Sequence, residues 1–167
     1  MRNLLSKPTL LTFLNGKIMR DELDKQLCEK YPKIFRDRHS PMTETAMCWG
    51  FECGDGWYRI IDSLCSQIQH HIDWKQEQKE KYSRGEGCRQ VVAVQVKEKF
   101  GGLRFYYDGG DEKIEGMVRM AESWAACTCE QCGNTGSTRG GGWIRTLCDA
   151  HEQERQEKYK KDSDNDE

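Results

Sequence analysis

Cys129-Glu-Gln-Cys132-Gly133, answered after an intervening fifteen residues by Cys148-Asp-Ala-His151, is the stretch that decides how this chain ends. A tetrahedral zinc ion needs four soft or borderline donors converging on one point, and a Cys-x-x-Cys turn presents two thiolates to one ion. Gly133, directly after the first pair, suits that tight turn. With Thr146 as N-cap, a helix begins on which Cys148 and His151, three residues apart, share a face. Between the pairs, Gly140-Gly141-Gly142 reads as a turn and Trp143-Ile144-Arg145 as a returning strand. A ligand-bearing turn, a hairpin and a helix carrying the second ligand pair make up the treble-clef arrangement. The expectation is one structural zinc held by Cys129, Cys132, Cys148 and His151, with no position left for a catalytic water. Cys127 is an alternative ligand, at poorer spacing.

Upstream, Gly109-Gly110 releases the chain and Asp111 caps a helix whose apolar face is Ile114, Met117, Val118, Ala121, Trp124 and Ala125. Residues 91–107 form a hairpin around Gly101-Gly102, because two successive glycines supply the positive φ angles of a two-residue turn. Before it, Trp57, Ile60, Ile61, Leu64, Ile68 and Ile72 recur at helical spacing, and the sequence turns polar after Trp74 and breaks at Gly85. Asp55, in Gly54-Asp55-Gly56, takes a turn or N-cap role. Trp49, Phe51 and Cys53 alternate as a short half-buried strand. Leu23, Leu27 and Tyr31 stripe a helix from 21 to about 31, which Pro32 ends.

The fold class is therefore α+β: helices around a small antiparallel sheet, with a C-terminal treble-clef-like zinc module. Residues 1–20 are an N-terminal extension, 21–126 the α+β core, 127–161 the zinc module and C-terminal helix, and 162–167 a disordered acidic tail.

The hairpin carries the most specific functional signal. With the turn at Gly101-Gly102, Val92, Val94, Val96 and Phe100 share a core face with Leu103, Phe105 and Tyr107, and Glu98 is an unexplained exception on it. The opposite face presents Gln95, Lys97, Lys99, Arg104 and Tyr106. Lys99 and Arg104 are expected to be cross-strand neighbours, a like-charge conflict that an anion would relieve. Arg139, Trp143 and Arg145 extend the set on the zinc hairpin, where residues 134–146 contain no acid. The expected ligand-binding residues are thus Lys97, Lys99, Arg104, Tyr106, Arg139, Trp143 and Arg145, with nucleic acid or a nucleotide as ligand. Lysines that merely blunt a sheet edge would look the same.

Bulk composition limits the alternatives. At 167 residues, 36% hydrophobic and 32% charged with a formal net charge of -2, the chain has no global pull toward polyanions, so any anion site must be local. No apolar run approaches the ~20 residues of a membrane span. Nine cysteines without an export signal suit a cytoplasmic, reduced protein with a metal site better than a disulfide framework. Cys28, Cys48, Cys53, Cys65 and Cys88 are dispersed and read as small buried hydrophobes. Adjacent on one helix, His70 and His71 point apart and make a poor metal or catalytic pair.

Three runs together resemble uncharacterised zinc-containing proteins encoded by bacteriophages and prophages. They are Phe51-Glu-Cys-Gly-Asp-Gly-Trp-Tyr58, Val96-Lys-Glu-Lys-Phe-Gly-Gly-Leu-Arg-Phe-Tyr-Tyr107, and the zinc segment with Gly-Gly-Gly-Trp-Ile-Arg-Thr-Leu-Cys. The resemblance implies life in the cytoplasm of an infected bacterium and brings no activity with it. The leading expectation is a non-enzymatic binding protein with no catalytic residues. The alternative is a protein-interaction module that antagonises or redirects a host factor. A nuclease of the HNH type comes third, because it needs a histidine base on the zinc hairpin, and none lies between Cys132 and Cys148.

Overall fold

The computed structural model describes residues 18–164, with side chains to 161. Most of the N-terminal extension assigned to 1–20 therefore lies outside the described residues. The chain runs α1 (Asp21–Lys30), a 3-10 turn (Ala46–Trp49), β1 (Phe51–Glu52), a second 3-10 turn (Asp55–Trp57), α2 (Tyr58–Tyr82), β2 (Val92–Lys99), β3 (Gly102–Asp108), α3 (Glu112–Ala125), β4 (Ser137–Arg139), β5 (Arg145–Leu147) and α4 (Asp149–Asp164). This is an α+β fold with a three-stranded sheet, order β1-β2-β3, and a separate β4-β5 pair. The main sheet is mixed, not purely antiparallel: β1 pairs parallel to β2, Phe51 against Val96 and Glu52 against Lys97. No helix among the described residues is long and apolar enough to cross a membrane.

One core joins these elements. Ile60, Ile61, Leu64, Ile68 and Ile72 of α2, Ile114, Val118, Ala121 and Ala125 of α3, and Leu27 of α1 close on Phe51, Val96, Leu103 and Phe105. Phe35 packs its ring edge against Phe51, centroids 5.0 Å apart, and against Phe105 at 6.5 Å. Asp111 caps α3 as anticipated, accepting the Ile114 N–H at 3.2 Å. α2 stops where Ser83 turns left-handed (φ 51°) and the Ser83 and Arg84 N–H groups return to the Lys79 and Gln78 carbonyls. Two aromatic assignments fail. Trp49 lies in the 3-10 turn and Trp124 on the outer side of α3, both exposed, so the strand around Phe51 shrinks to two residues. α4 continues to Asp164, so the first residues of the supposed acidic tail are helical.

The hairpin is present, but its turn is Phe100-Gly101. Both have positive φ, 54° and 77°, and Lys99 pairs with Gly102. Compared with a Gly101-Gly102 turn, the pairing moves by two residues, so every side chain keeps its face while its partner changes. Lys97, not Lys99, faces Arg104. Phe100 is expelled to the tip, 73% exposed. Beyond Gln95 a bulge at Val94 interrupts the ladder. It reverses the alternation, so Val91 and Ala93 enter the core in place of Val92 and Val94.

A left-handed, exposed phenylalanine is costly, and Asn-Gly is the favoured sequence for such a turn. Phe100→Asn is therefore expected to stabilise the chain by about 1 kcal/mol. A shift of the urea midpoint to higher denaturant, with unchanged slope, checks it.

Candidate metal centre and its seam with the sheet

Thr128 and Thr135 bridge across a tight turn that carries Cys129 and Cys132. Gly133, at φ 78°, closes that turn with its N–H on the Cys129 carbonyl at 2.9 Å. β4 and β5 then run antiparallel, Ser137 against Leu147 and Arg139 against Arg145, and deliver the chain to α4. Thr146 is not the helix cap; it lies in β5. Cys148 immediately precedes α4: its carbonyl accepts the Glu152 N–H at 3.0 Å. The His151 backbone N–H bonds its sulfur, the main cause lowering that thiol to about 7. A thiolate at a helix N-terminus also gains from the helix dipole.

The four predicted ligands converge. Cys129 Sγ lies 3.4 Å from His151 Nδ1, Cys148 Sγ 3.2 Å from the same atom, and Cys132 Sγ 3.8 Å from Cys148 Sγ. All four donor atoms fall within 4.8 Å of one another, so the group could hold a metal ion. Bond lengths of about 2.3 Å to sulfur and 2.0–2.1 Å to nitrogen put the donors of a tetrahedral zinc roughly 3.8 Å (S···S) and 3.6 Å (S···N) apart. The observed spacings fit. Cys127 is not part of the group: its thiol is exposed and donates to the Trp124 carbonyl at 3.2 Å.

The ligand turn is riveted to the rest of the molecule. Glu130, between the first two ligands, is fully buried. Its Oε1 accepts the Gly54 N–H at 3.2 Å, and its Oε2 takes Arg145 Nε and Nη2 at 3.1 and 3.0 Å. Its backbone joins both sides: the N–H donates to the Thr146 carbonyl, and the carbonyl accepts the Gly56 N–H. Burial pushes the Glu130 carboxyl up, and Arg145 opposes the shift. Trp57, also fully buried, donates its indole N–H to the Thr128 carbonyl at 2.8 Å. The hairpin tip docks on β5. Thr146 Oγ1 donates to the Gly101 carbonyl at 2.6 Å, while Glu98 accepts the Gly101 N–H at 2.7 Å and the Trp143 indole N–H at 3.3 Å. This explains the acid on the core face. Glu98 is the buried acceptor that joins the turn to the ligand-bearing segment.

The seven expected ligand-binding residues therefore separate. Arg145 is buried and committed to Glu130. Arg139 is held by the Leu147 carbonyl and by Asp149. Neither presents a free cation, because each has a carboxylate of the fold itself as partner. Trp143 sits by the hairpin tip, 56% exposed. Lys99 lies at the tip with its ammonium 5.6 Å from the Phe100 ring centroid. Lys97, Arg104 and Tyr106 do share one sheet face: Lys97 is directly opposite Arg104, and its Nζ lies 5.6 Å from the Tyr106 ring centroid. Arg104 has an acidic neighbour, Glu122 Oε2 at 3.9 Å. Asp55 binds Arg20, accepting its backbone N–H at 2.9 Å, and does not cap α2. Glu130 carries no local sequence signal of this role. Nothing in the run Cys129-Glu-Gln-Cys132 marks which of its two middle residues turns inward.

Removing one partner of a buried ion pair leaves the other charge uncompensated, at about 3–5 kcal/mol. Glu130→Ala is expected to cost that much in urea unfolding, and exchanging both Glu130 and Arg145 for leucine to recover a large part of it. Comparison with family models, with curated proteins and with solved structures finds no match to this chain.

Proposed function

We propose that this chain is a non-enzymatic binding protein. Its C-terminal segment is a treble-clef-like module organised by one structural zinc, and it engages single-stranded nucleic acid on the open face of the sheet. The supporting observation is the cross-strand pair Lys97–Arg104 with Tyr106 alongside. They lie opposite the face that carries Val96, Leu103 and Phe105 into the helical core. Tyr106 is 43% exposed beneath the Lys97 ammonium, a ring placed for a base to stack on. Near Val92 and Val94 of β2 a cleft of about 330 Å³ is lined by Arg36 and Arg89 together with Asp37, Glu44 and Asp108, so it adds no net positive charge. Glu52, which accepts a bond from Gln95, and Glu122 temper the positive charge. The platform is thus pre-arranged but weakly cationic, and it suits two or three phosphates rather than a long tract. By the phage resemblance, its setting is the cytoplasm of an infected bacterium.

A second reading rests on the hairpin tip. Phe100, Trp143 and Ile144 are all exposed there. Three apolar side chains close to a rigid seam would serve a host-protein contact.

Two outcomes are expected. Purified protein carries one tightly held zinc at this centre, lost in Cys132→Ser and in Cys148→Ser; metal analysis showing neither zinc nor mutant loss removes the metal assignment. In the native protein, binding to a short single-stranded oligonucleotide weakens with salt. Two or three neutralised phosphates give a slope of about -1.4 to -2.1. Reversing Lys97 and Arg104 to glutamate abolishes binding, and Tyr106→Ala costs roughly 1–3 kcal/mol. Wild-type protein that binds no oligonucleotide at low salt moves the host-protein reading to first place.

A further inference from the structure

A second group of donors lies at the other end of the molecule, away from the Cys/His centre. His71 belongs to the polar half of α2, yet it is buried. Its Nε2 meets Asp111 Oδ2 at 2.8 Å, while Asp111 Oδ1 caps α3. Cys88, also buried, comes from the connection between α2 and β2. One donor atom from each of the three lies within 4.8 Å of the other two. His70, the neighbouring histidine, points out to solvent.

We propose that His71, Cys88 and Asp111 form a second metal site, for a divalent ion of the zinc class, with one coordination position left open. A hydrogen-bonded lock between α2 and the α3 cap needs only His71 and Asp111. Cys88, brought in from a third segment, adds a thiol that bonds the Arg89 carbonyl at 3.6 Å and Asp111, and so sets a sulfur donor beside the imidazole and the carboxylate. Thiolate, imidazole and carboxylate together select zinc-like ions over magnesium or calcium, which take oxygen donors. A thiolate and a carboxylate neutralise a divalent charge, so the loaded site is uncharged although two of its donors are buried. Loading releases the Cys88 thiol proton to solvent, and the proton that His71 Nε2 shares with Asp111 gives way to one on Nδ1, so that His71 ligates through Nε2 as a neutral imidazole. On a tetrahedral zinc, light donors sit roughly 3.4 Å apart given bonds of about 2.0–2.2 Å. Oδ2 therefore has to draw back slightly from His71 while Oδ1 keeps the helix cap. The Asp111 side chain is 30% exposed and that of His71 6%, which puts the open position on the Asp111 side. The Lys75 ammonium acts on both Cys88 and Asp111, and is the cation that an incoming ion must displace or tolerate.

Metal counting on the full chain tests the site. Protein is loaded with excess zinc, freed of unbound metal, and analysed for zinc per chain. Wild type is expected to hold two equivalents, and Cys88→Ser, His71→Ala and Cys132→Ser one each. Asp111→Asn keeps a capping side chain for α3 but loses the anionic donor, and is also expected to hold one. Cobalt loading gives an independent readout: Cys88→Ser loses part of the thiolate-to-cobalt absorption, and Cys132→Ser retains that part. Wild type saturating at one equivalent overturns the proposal, as does Cys88→Ser or Asp111→Asn holding two. Far-UV circular dichroism identifies any variant that fails to fold. Cys88→Ser and Asp111→Asn then decide without His71→Ala.

Discussion

Much of the structure depends on a single buried carboxylate. Glu130 sits between Cys129 and Cys132 of the Cys/His cluster and is bonded at once to the Gly54 N–H and to the Arg145 guanidinium. Three segments distant in sequence meet on it: the turn before α2, the ligand turn, and β5. A charge taken wholly out of water is tolerable only when its oxygens are filled, so these segments have to arrive together and in one geometry. Glu130 thereby makes the Cys/His segment part of the main body rather than a tethered appendage.

Close backbone approach is the other half of the seam. A Cβ on Gly54 would lie 2.3 Å from the Glu130 carbonyl oxygen, and one on Gly56 2.2 Å from that of Cys129. Neither position can carry a side chain, which is why glycines flank Asp55. Trp57 then drops into the core and reaches back to Thr128. Among the described residues from Thr128 onward, only Cys129 and Leu147 are buried hydrophobics. The polar seam therefore supplies organisation that apolar burial provides elsewhere, and an ion on the Cys/His cluster would add to it. A boundary drawn at residue 127 marks a change in how the chain is stabilised, and no gap in contact accompanies it.

The open sheet face shows how much a local conflict can be absorbed. Lys97 and Arg104 are like charges directly opposed, but Lys97 leans over Tyr106 and Arg104 has Glu122 within 3.9 Å. Glu122 also accepts the Phe105 N–H on the edge strand, so one carboxylate both shields a sheet edge and moderates a cation. The like-charge conflict, expected between Lys99 and Arg104 and found between Lys97 and Arg104, is thus partly settled inside the molecule, and what remains is a shallow polar platform with an aromatic ring.

Local patterns determined a good deal by themselves. Paired ligand spacing named Cys129, Cys132, Cys148 and His151; helical periodicity placed α2 and α3; Asp111 announced its cap. Each depends on residues within a few positions of one another, where backbone geometry leaves little choice. Even the sheet faces survived a misplaced turn near the tip, because a shift of two residues preserves the alternation, and only the bulge at Val94 reversed it. Tertiary structure alone decided which polar groups turn inward. Arg145, expected on the ligand-binding surface, became a buried partner, Glu98 found on the core face the donors that its position alone left unexplained, and His71 left its neighbour His70 to join Asp111 and Cys88. The turn moved to Phe100-Gly101 because Glu98 and Thr146 hold the Gly101 N–H and carbonyl. Such choices are set by the partner a buried polar group finds across tens of residues, and periodicity in one segment carries no record of that partner.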